Sequence, residues 1–225
     1  PEMSRGLGDV YKRQDYTSYW SSLMSEQILL QPIQVANSDK AKEALEKARI
    51  AHEKYLIRQQ NCDLEEAIEN YIDAVKYDPT MPESYYRLAT LMWEQGQISL
   101  DTAIEQCKTA ISLAPQNVNA HLYTGFFMKM AQDFKSAESE FKSAIKMGKL
   151  KSGRPRLILS QSILQKINTQ NGNASDYLNF LYYFLSGSLM LAWDRPSMKM
   201  FYKNMSDDFS VFSYNTIGKF LEKFK

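Results

Sequence analysis

The chain of 225 residues contains two imidazoles, His52 and His121, and these are the first candidates for proton-transfer chemistry. A catalytic imidazole needs a nucleophile or a carboxylate within hydrogen-bond reach. The sequence spaces no such partner for either histidine in the manner of a Ser/His/Asp or Cys/His arrangement. We therefore expect His121 to be a core or half-buried histidine, and we expect no catalytic residues.

The sequence also offers no pattern for metal or cofactor chemistry. Its two cysteines, Cys62 and Cys107, make neither a disulfide framework nor a set of metal ligands. Cys107 falls in an apolar slot of a predicted helix, which is typical of a packed core thiol. The chain has no glycine-rich phosphate loop and no helix with paired histidines. We expect no metal, no cofactor, no small-molecule substrate and no enzymatic activity.

Charge gives little reason to expect a polyanionic partner, because 27 basic residues balance 26 acidic ones. The stretch from Lys142 to Arg156 holds six basic residues and no acidic one, so it could contact phosphate or an acidic partner. Aromatic side chains for base stacking are missing after Phe141. We interpret the stretch as a solvated face, and nucleic acid is disfavoured as a partner.

The strongest pattern lies between Asp63 and Gly148, where pairs of alanines seven residues apart occur three times at intervals of 36 and then 34 residues. The pairs are Ala67 and Ala74, Ala103 and Ala110, and Ala137 and Ala144. Seven residues make about two helical turns, so each pair lies on one helix face and permits close packing of a neighbouring helix. The motifs Asp78-Pro79 and Ala114-Pro115 end the first two units. This pattern indicates stacked helical hairpins.

These motifs resemble the tetratricopeptide repeat (TPR) family. The resemblance implies an all-α, right-handed α-solenoid with about three hairpins at residues 38–79, 80–115 and 116–150, followed by a C-terminal helical extension at 151–225. The first unit departs from the family pattern, because Tyr55 occupies a slot for a small residue. Beyond residue 150 we predict helices without a repeat register, including one that Asp207 and Asp208 introduce and that runs through Phe224.

The resemblance also implies a groove, lined by the first helix of each hairpin on the side away from the alanines. The expected partner-binding residues are Tyr86, Arg87, Thr90, Trp93, Leu122, Tyr123, Phe126 and Lys129. So apolar a groove favours an extended hydrophobic peptide or an amphipathic helix. We expect a non-catalytic protein-interaction scaffold, with Tyr86, Trp93, Leu122 and Phe126 as anchors and with Arg87 and Lys129 selecting the partner's charge. The alternative is that the protein fills this groove itself.

One subset of the family clamps C-terminal carboxylates of heat-shock chaperones with Lys, Asn and Arg side chains. The corresponding positions here hold His52, Leu56, Arg87, Asn119 and Tyr123. The clamp set is absent, so the resemblance does not imply a chaperone partner of that type.

The segment from Tyr177 to Trp193 contains 17 residues without a charge, which is near the shortest length that spans a bilayer. Its polar residues, and flanks without a cluster of basic residues, favour a buried helix instead. If the segment did enter a membrane, the function would be the alternative one, a membrane-associated assembly factor anchored by residues 177–193.

The N-terminal part of the chain divides at residue 14. Residues 9–14 correspond to the translation of a transposase mosaic-end adapter used in library preparation, so we interpret residues 1–14 as read-through. We expect the native N-terminus to be missing, and a targeting signal could be lost with it, although the cytoplasm is favoured. Residues 15–37 have a helical apolar stripe, which indicates either packing on the edge of the array or a docking peptide.

Overall fold

A computed structural model describes residues 38–58, 60–149, 153–170 and 172–192. Within these ranges all of the regular secondary structure is helical, as predicted. The helices are α1 (Asp39–Arg58), α2 (Asn61–Tyr77), α3 (Pro82–Glu94), α4 (Leu100–Leu113), α5 (Val118–Met130), α6 (Phe134–Gly148), α7 (Gly153–Gln170) and α8 (Ala174–Ala192). The interpretations of residues 1–37, the anchor residue Trp193 and the helices predicted beyond it lie outside the described residues.

The helices pair as consecutive hairpins, α1 with α2, α3 with α4, α5 with α6 and α7 with α8. Each hairpin also packs on the next, because α2 contacts α3, α4 contacts α5 and α6 contacts α7. The first helices of the second and third hairpins, α3 and α5, touch directly. The result is the predicted solenoid of helical hairpins, and α7 with α8 continues the stack into the predicted extension.

Local sequence explains where the central helices begin and end. Pro82 starts α3 at its first turn, where a missing N–H costs no hydrogen bond. The side-chain oxygen of Ser99 accepts a hydrogen bond from the Thr102 N–H and caps α4, and Asn117 caps α5 in the same way through the Ala120 N–H. Gly96 follows α3 with a φ of 72°, a left-handed conformation that glycine adopts without strain. These signals fix the short turns between helices.

The alanine pairs lie in the core, as their spacing predicts, since all six are 0% exposed. Gly125 on α5 shows how closely the helices approach: a Cβ there would lie 2.6 Å from the Phe141 ring of α6. The Cys107 thiol is fully buried among these side chains, which confirms the prediction of a core thiol. Small residues on one helix therefore make room for rings on the next.

Candidate protein-docking face

The predicted groove residues belong to α3 and α5, which lie side by side in the stack. The rings of Tyr86 on α3 and Tyr123 on α5 stack with centroids 4.7 Å apart and an interplanar angle of 25°. Trp93 lies about two turns after Tyr86 on α3, and Phe126 lies about one turn after Tyr123 on α5. The centroid of the Trp93 ring is 6.1 Å from that of Phe126 and 5.6 Å from that of Phe127, both in edge-to-face contact. Such arrangements are the favoured geometries of aromatic pairs. We call these five side chains the aromatic ladder.

The structure buries almost the whole predicted set. Seven of the eight residues are at most 5% exposed, and Thr90 alone is half-buried. The Thr90 hydroxyl donates to the Tyr86 carbonyl at 2.8 Å, so it too is engaged within its own helix. Five of the eight residues belong to the main hydrophobic core, namely Tyr86, Trp93, Leu122, Tyr123 and Phe126.

A charged cluster lies beside the ladder, at the junction of α1 and α3. The Arg49 Nε donates to Glu83 Oε1 at 2.8 Å, the Arg49 Nη2 also bonds Glu83 Oε2, and the Arg87 Nε donates to Glu83 Oε1 at 2.6 Å. Burial alone would raise the pKa of Glu83, but the guanidinium groups of Arg87 and Arg49 outweigh it and lower that pKa. The carboxylate therefore stays ionised between two cations.

Glu83 is buried in this cluster, which the sequence patterns above did not predict. The sequence does contain a pattern that could have predicted the Arg49–Glu83 pair, because the two residues are separated by 34 residues, one repeat length. Residues at equivalent positions of successive first helices face each other in a hairpin stack. Arg87 retains one buried nitrogen, Nη1, without a hydrogen-bond partner.

The other cation predicted to select a partner, Lys129, is also buried, and burial lowers its pKa to about 8. Its Nζ lies 5.7 Å from the centroid of the Phe126 ring, a cation–π distance. Glu94 is the last residue of α3 and follows Trp93. Burial raises the pKa of Glu94 to about 8, although a hydrogen bond with Tyr55 partly opposes that shift. The face thus combines rings with ionisable groups whose charge is costly to maintain.

The two histidines have different surroundings. The buried His52 Nδ1 lies 3.3 Å from the Tyr71 hydroxyl, and burial together with Arg87 holds its pKa well below the usual value. His121 Nδ1 lies 2.6 Å from Glu140 Oε2, and its Nε2 is 3.1 Å from the Pro115 carbonyl. The prediction that His121 has no carboxylate partner is therefore wrong, because Glu140 reaches it from the neighbouring helix α6. The prediction of a core or half-buried histidine is confirmed.

Three other features of the sequence can be compared with the ranges that the structure describes. Those ranges contain no cluster of His, Cys, Asp or Glu that could hold a metal ion. Lys142 of the basic stretch pairs with Glu138 at 2.7 Å, and Arg156 donates to the Ser186 hydroxyl at 3.2 Å. Among the helices with described residues, none combines the length and apolar character needed to cross a membrane. The interpretation of residues 177–193 as a buried helix is wrong for one side of α8, where Leu178, Leu181 and Leu189 are 45% to 68% exposed.

Comparisons with known proteins concern the same hairpins. A profile of the TPR repeat matches residues 59–96, which include α2 and α3. The chain is similar to the TPR2B domain of yeast Sti1 in its complex with pHsp70, at 18% identity and a TM-score of 0.42, covering 68% of this chain and 98% of that one. It is similar to the Sgt2 TPR domain from Aspergillus fumigatus, at 18% identity and a TM-score of 0.49, covering 64% and 91%. It is also similar to MamA, at 17% identity and a TM-score of 0.40, covering 72% and 97%. No curated protein matches the chain.

Proposed function

We propose that this chain, in which residues 59–96 match a profile of the tetratricopeptide repeat (TPR), is a non-catalytic scaffold that binds another protein along the inner face formed by α3 and α5. The observation that carries the proposal is the aromatic ladder. Rings that are already ordered by stacking lose little conformational entropy when a ligand arrives. Trp and Tyr are also enriched among the few residues that carry most of the binding energy at protein interfaces.

The ligand best suited to this face is an apolar peptide or one side of an amphipathic helix. Tyr86, Trp93, Leu122 and Phe126 present large apolar groups from two adjacent helices. Arg87 and Lys129 are the cations of the face, so a carboxylate flanking the apolar residues is favoured over a basic group. An apolar ligand with an acidic flank is therefore the proposed partner class.

Burial of the ladder adds a condition to this proposal. A ligand reaches the rings only where it replaces contacts that the chain makes with itself. The measured affinity then equals the intrinsic affinity reduced by the fraction of molecules whose face is open. We expect modest affinity for a short peptide and tighter binding for a ligand long enough to cover both α3 and α5.

The proposal is tested by selecting displayed random peptides on the full chain. Enriched peptides should carry large apolar residues at helical spacing or in an extended row, with acidic neighbours. Their affinity should fall at least about tenfold for the combined Trp93→Ala and Phe126→Ala variant. Phe141→Ala is the matched control, because it also removes a fully buried ring but from α6, outside the ladder.

Each variant is compared only at a temperature where circular dichroism shows the helix content of the unmodified chain. Equal affinity of the selected peptides for the ladder variant and the unmodified chain would contradict the proposal. So would a set of selected peptides without apolar enrichment.

A further inference from the structure

One side of α8 exposes a row of large apolar side chains. Each of them is between 45% and 68% exposed, and we call the row the α8 stripe: Leu178, Leu181, Tyr182, Leu185 and Leu189. Their spacing of three and four residues places them in one narrow sector of the helix. At 1.5 Å per residue the row is about 16 Å long. Contiguous apolar patches on a protein surface mark sites that bind proteins or membranes.

The other sides of α8 are occupied by contacts within the chain. Tyr177 and Phe180 are buried in the same core as residues of α7, and Tyr183 and Phe184 pack against that core. Asp176 is the one charged residue of α8, and it pairs with Lys166 of α7 at 2.8 Å. These contacts account for the rest of the helix but not for the stripe.

A cation from α7 borders the stripe. The guanidinium carbon of Arg156 lies 5.9 Å from the centroid of the Tyr182 ring, a cation–π distance. The Arg156 Nη1 also donates to the Ser186 hydroxyl at 3.2 Å. Ser186 lies directly beside the stripe, so this contact holds a positive charge along its edge. The residues that flank α8 in sequence provide no cluster of basic side chains, but the fold supplies cations from neighbouring helices.

Further cations lie on α6. The pKa of Lys142 is raised mainly by its hydrogen bond with Glu138 and further by the Tyr183 hydroxyl, so Lys142 lies close to α8. Tyr183 is on the same side of the stripe as Arg156. Lys146 follows Lys142 by one turn on the same face of α6 and is exposed. Glu138 offsets the charge of Lys142, so Lys146 and Arg156 leave this border positively charged.

A single apolar row with cations along its edge suits a membrane surface better than a protein. Within the described ranges, the exposed large apolar side chains outside the stripe belong to α1, α2 and α4, namely Ile50, Ile57, Tyr77 and Leu113. Neighbouring α6 and α7 therefore do not widen the row, whereas a protein interface of ordinary size buries about 800 Å² on each side. At a membrane surface, apolar side chains of a helix enter about 5–10 Å and basic side chains stay with anionic headgroups.

We propose that the α8 stripe binds the surface of a bilayer that contains anionic lipids, with Arg156 and Lys146 beside the lipid phosphates. The helix lies along the surface rather than across the bilayer. Its leucines enter the boundary of the acyl chains, and Tyr182 lies at the depth of the headgroups, where tyrosine is enriched. The site uses none of the residues of the aromatic ladder, so it adds a second binding surface to the chain.

The first test is flotation of the full chain with lipid vesicles. We expect binding to phosphatidylcholine vesicles that contain about 30% phosphatidylserine, and binding at least about fivefold weaker to phosphatidylcholine alone. Leu185→Asp should weaken binding by at least about tenfold, the effect of losing one buried leucine. Ile57→Asp is the matched control and should bind like the unmodified chain, because Ile57 is 75% exposed on α1. Lys146→Gln should weaken binding about fivefold on the anionic vesicles only.

The second test reports the environment of the stripe itself. A Leu185→Cys variant in a Cys62→Ser background is labelled with the fluorophore NBD, while the buried Cys107 stays unlabelled. Anionic vesicles should raise the emission of this label and shift it to the blue, because the label enters an apolar phase. The same label at Ile57→Cys should not respond. A chain that floats while the label at Leu185 remains in water binds the membrane through another segment, which would overturn the proposal.

Other results would also overturn it. One is flotation with neither kind of vesicle, or equal affinity for both. Another is a dimer in sedimentation velocity that Leu185→Asp converts to a monomer, because a second copy then covers the stripe. A third is an acidic helical peptide that needs Leu185 for binding, in a chain that binds no vesicles, because the stripe is then a protein-binding site.

Discussion

Arg49 on α1 and Glu83 on α3 occupy equivalent positions in successive hairpins and meet as a buried ion pair, with Arg49 Nε 2.8 Å from Glu83 Oε1. Arg87 approaches the same carboxylate from one turn along α3. A single carboxylate thus pairs with two buried guanidinium groups and joins the first hairpin to the second.

Removing that carboxylate should be one of the most destabilising single changes in the chain. Glu83→Gln keeps the side-chain volume but removes the negative charge that two buried cations share, which costs about 3–5 kcal/mol of unfolding free energy. Urea denaturation measures the loss. Glu105→Gln is the control, because Glu105 pairs with Lys108 on an exposed face and should cost less than about 1 kcal/mol. Equal losses for the two variants would show that the buried pair contributes little.

Gly125→Ala tests the close approach of α5 and α6. Alanine normally stabilises a helix interior relative to glycine. Here its Cβ would lie 2.6 Å from the Phe141 ring, so we expect a loss of about 1–3 kcal/mol instead. Phe141→Leu in the same molecule should recover part of that loss, and a thermodynamic double-mutant cycle measures the coupling. A stabilising Gly125→Ala variant would disprove the predicted clash.

Glu94 should make stability depend on pH. Burial raises the pKa of Glu94 to about 8 in the folded chain, above its ordinary value of 4.5. The folded state therefore binds the proton more tightly, and the free energy of unfolding falls as pH rises from about 4.5 to 8. Glu94→Gln removes this contribution, so the stability of the variant relative to the unmodified chain should increase by on the order of 4 kcal/mol between pH 5 and pH 8.5.

The quantity to compare is the difference in unfolding free energy between the Glu94→Gln variant and the unmodified chain. His121 also makes stability fall as pH rises, so the pH dependence of one protein alone would not isolate Glu94. Its hydrogen bond with Glu140 raises the pKa of His121, so stability that is complete below pH 6.5 is lost as pH rises through that higher value. His121 is present in both proteins and cancels in the difference. A difference that does not change between pH 5 and pH 8.5 would contradict the raised pKa of Glu94.

The two thiols should react at very different rates. Cys62 is exposed at the start of α2, whereas Cys107 is fully buried and burial raises its pKa. A maleimide should modify Cys62 within minutes and reach Cys107 only through unfolding, so urea should accelerate its labelling. Mass spectrometry of peptides identifies the modified residue. Equal labelling of both thiols in the absence of denaturant would show that the core around Cys107 opens readily.

The sequence predicts those features that local periodicity controls. Alanines with a repeat length near 34–36 residues locate the hairpins, and Gly125 falls where a small residue is required. Contacts between different helices are harder to predict, because they depend on helix rotation as well as spacing. Glu140 reaches His121 across a hairpin, and no local pattern marks the pair. Burial of Trp93 and Phe126 likewise depends on the whole chain, whereas the register of α3 and α5 indicates only the side they face.

The Arg49–Glu83 contact also makes the order of the hairpins non-interchangeable. Successive first helices carry a cation, an anion and an amide at the same position, namely Arg49, Glu83 and Asn119. If the first hairpin were duplicated in tandem, two buried guanidinium groups would confront each other, and two copies of the second hairpin would oppose two carboxylates. The charge at this position of each hairpin therefore favours its native neighbour. Arrangements with the same backbone but with hairpins permuted or exchanged would place like charges together and would be less stable.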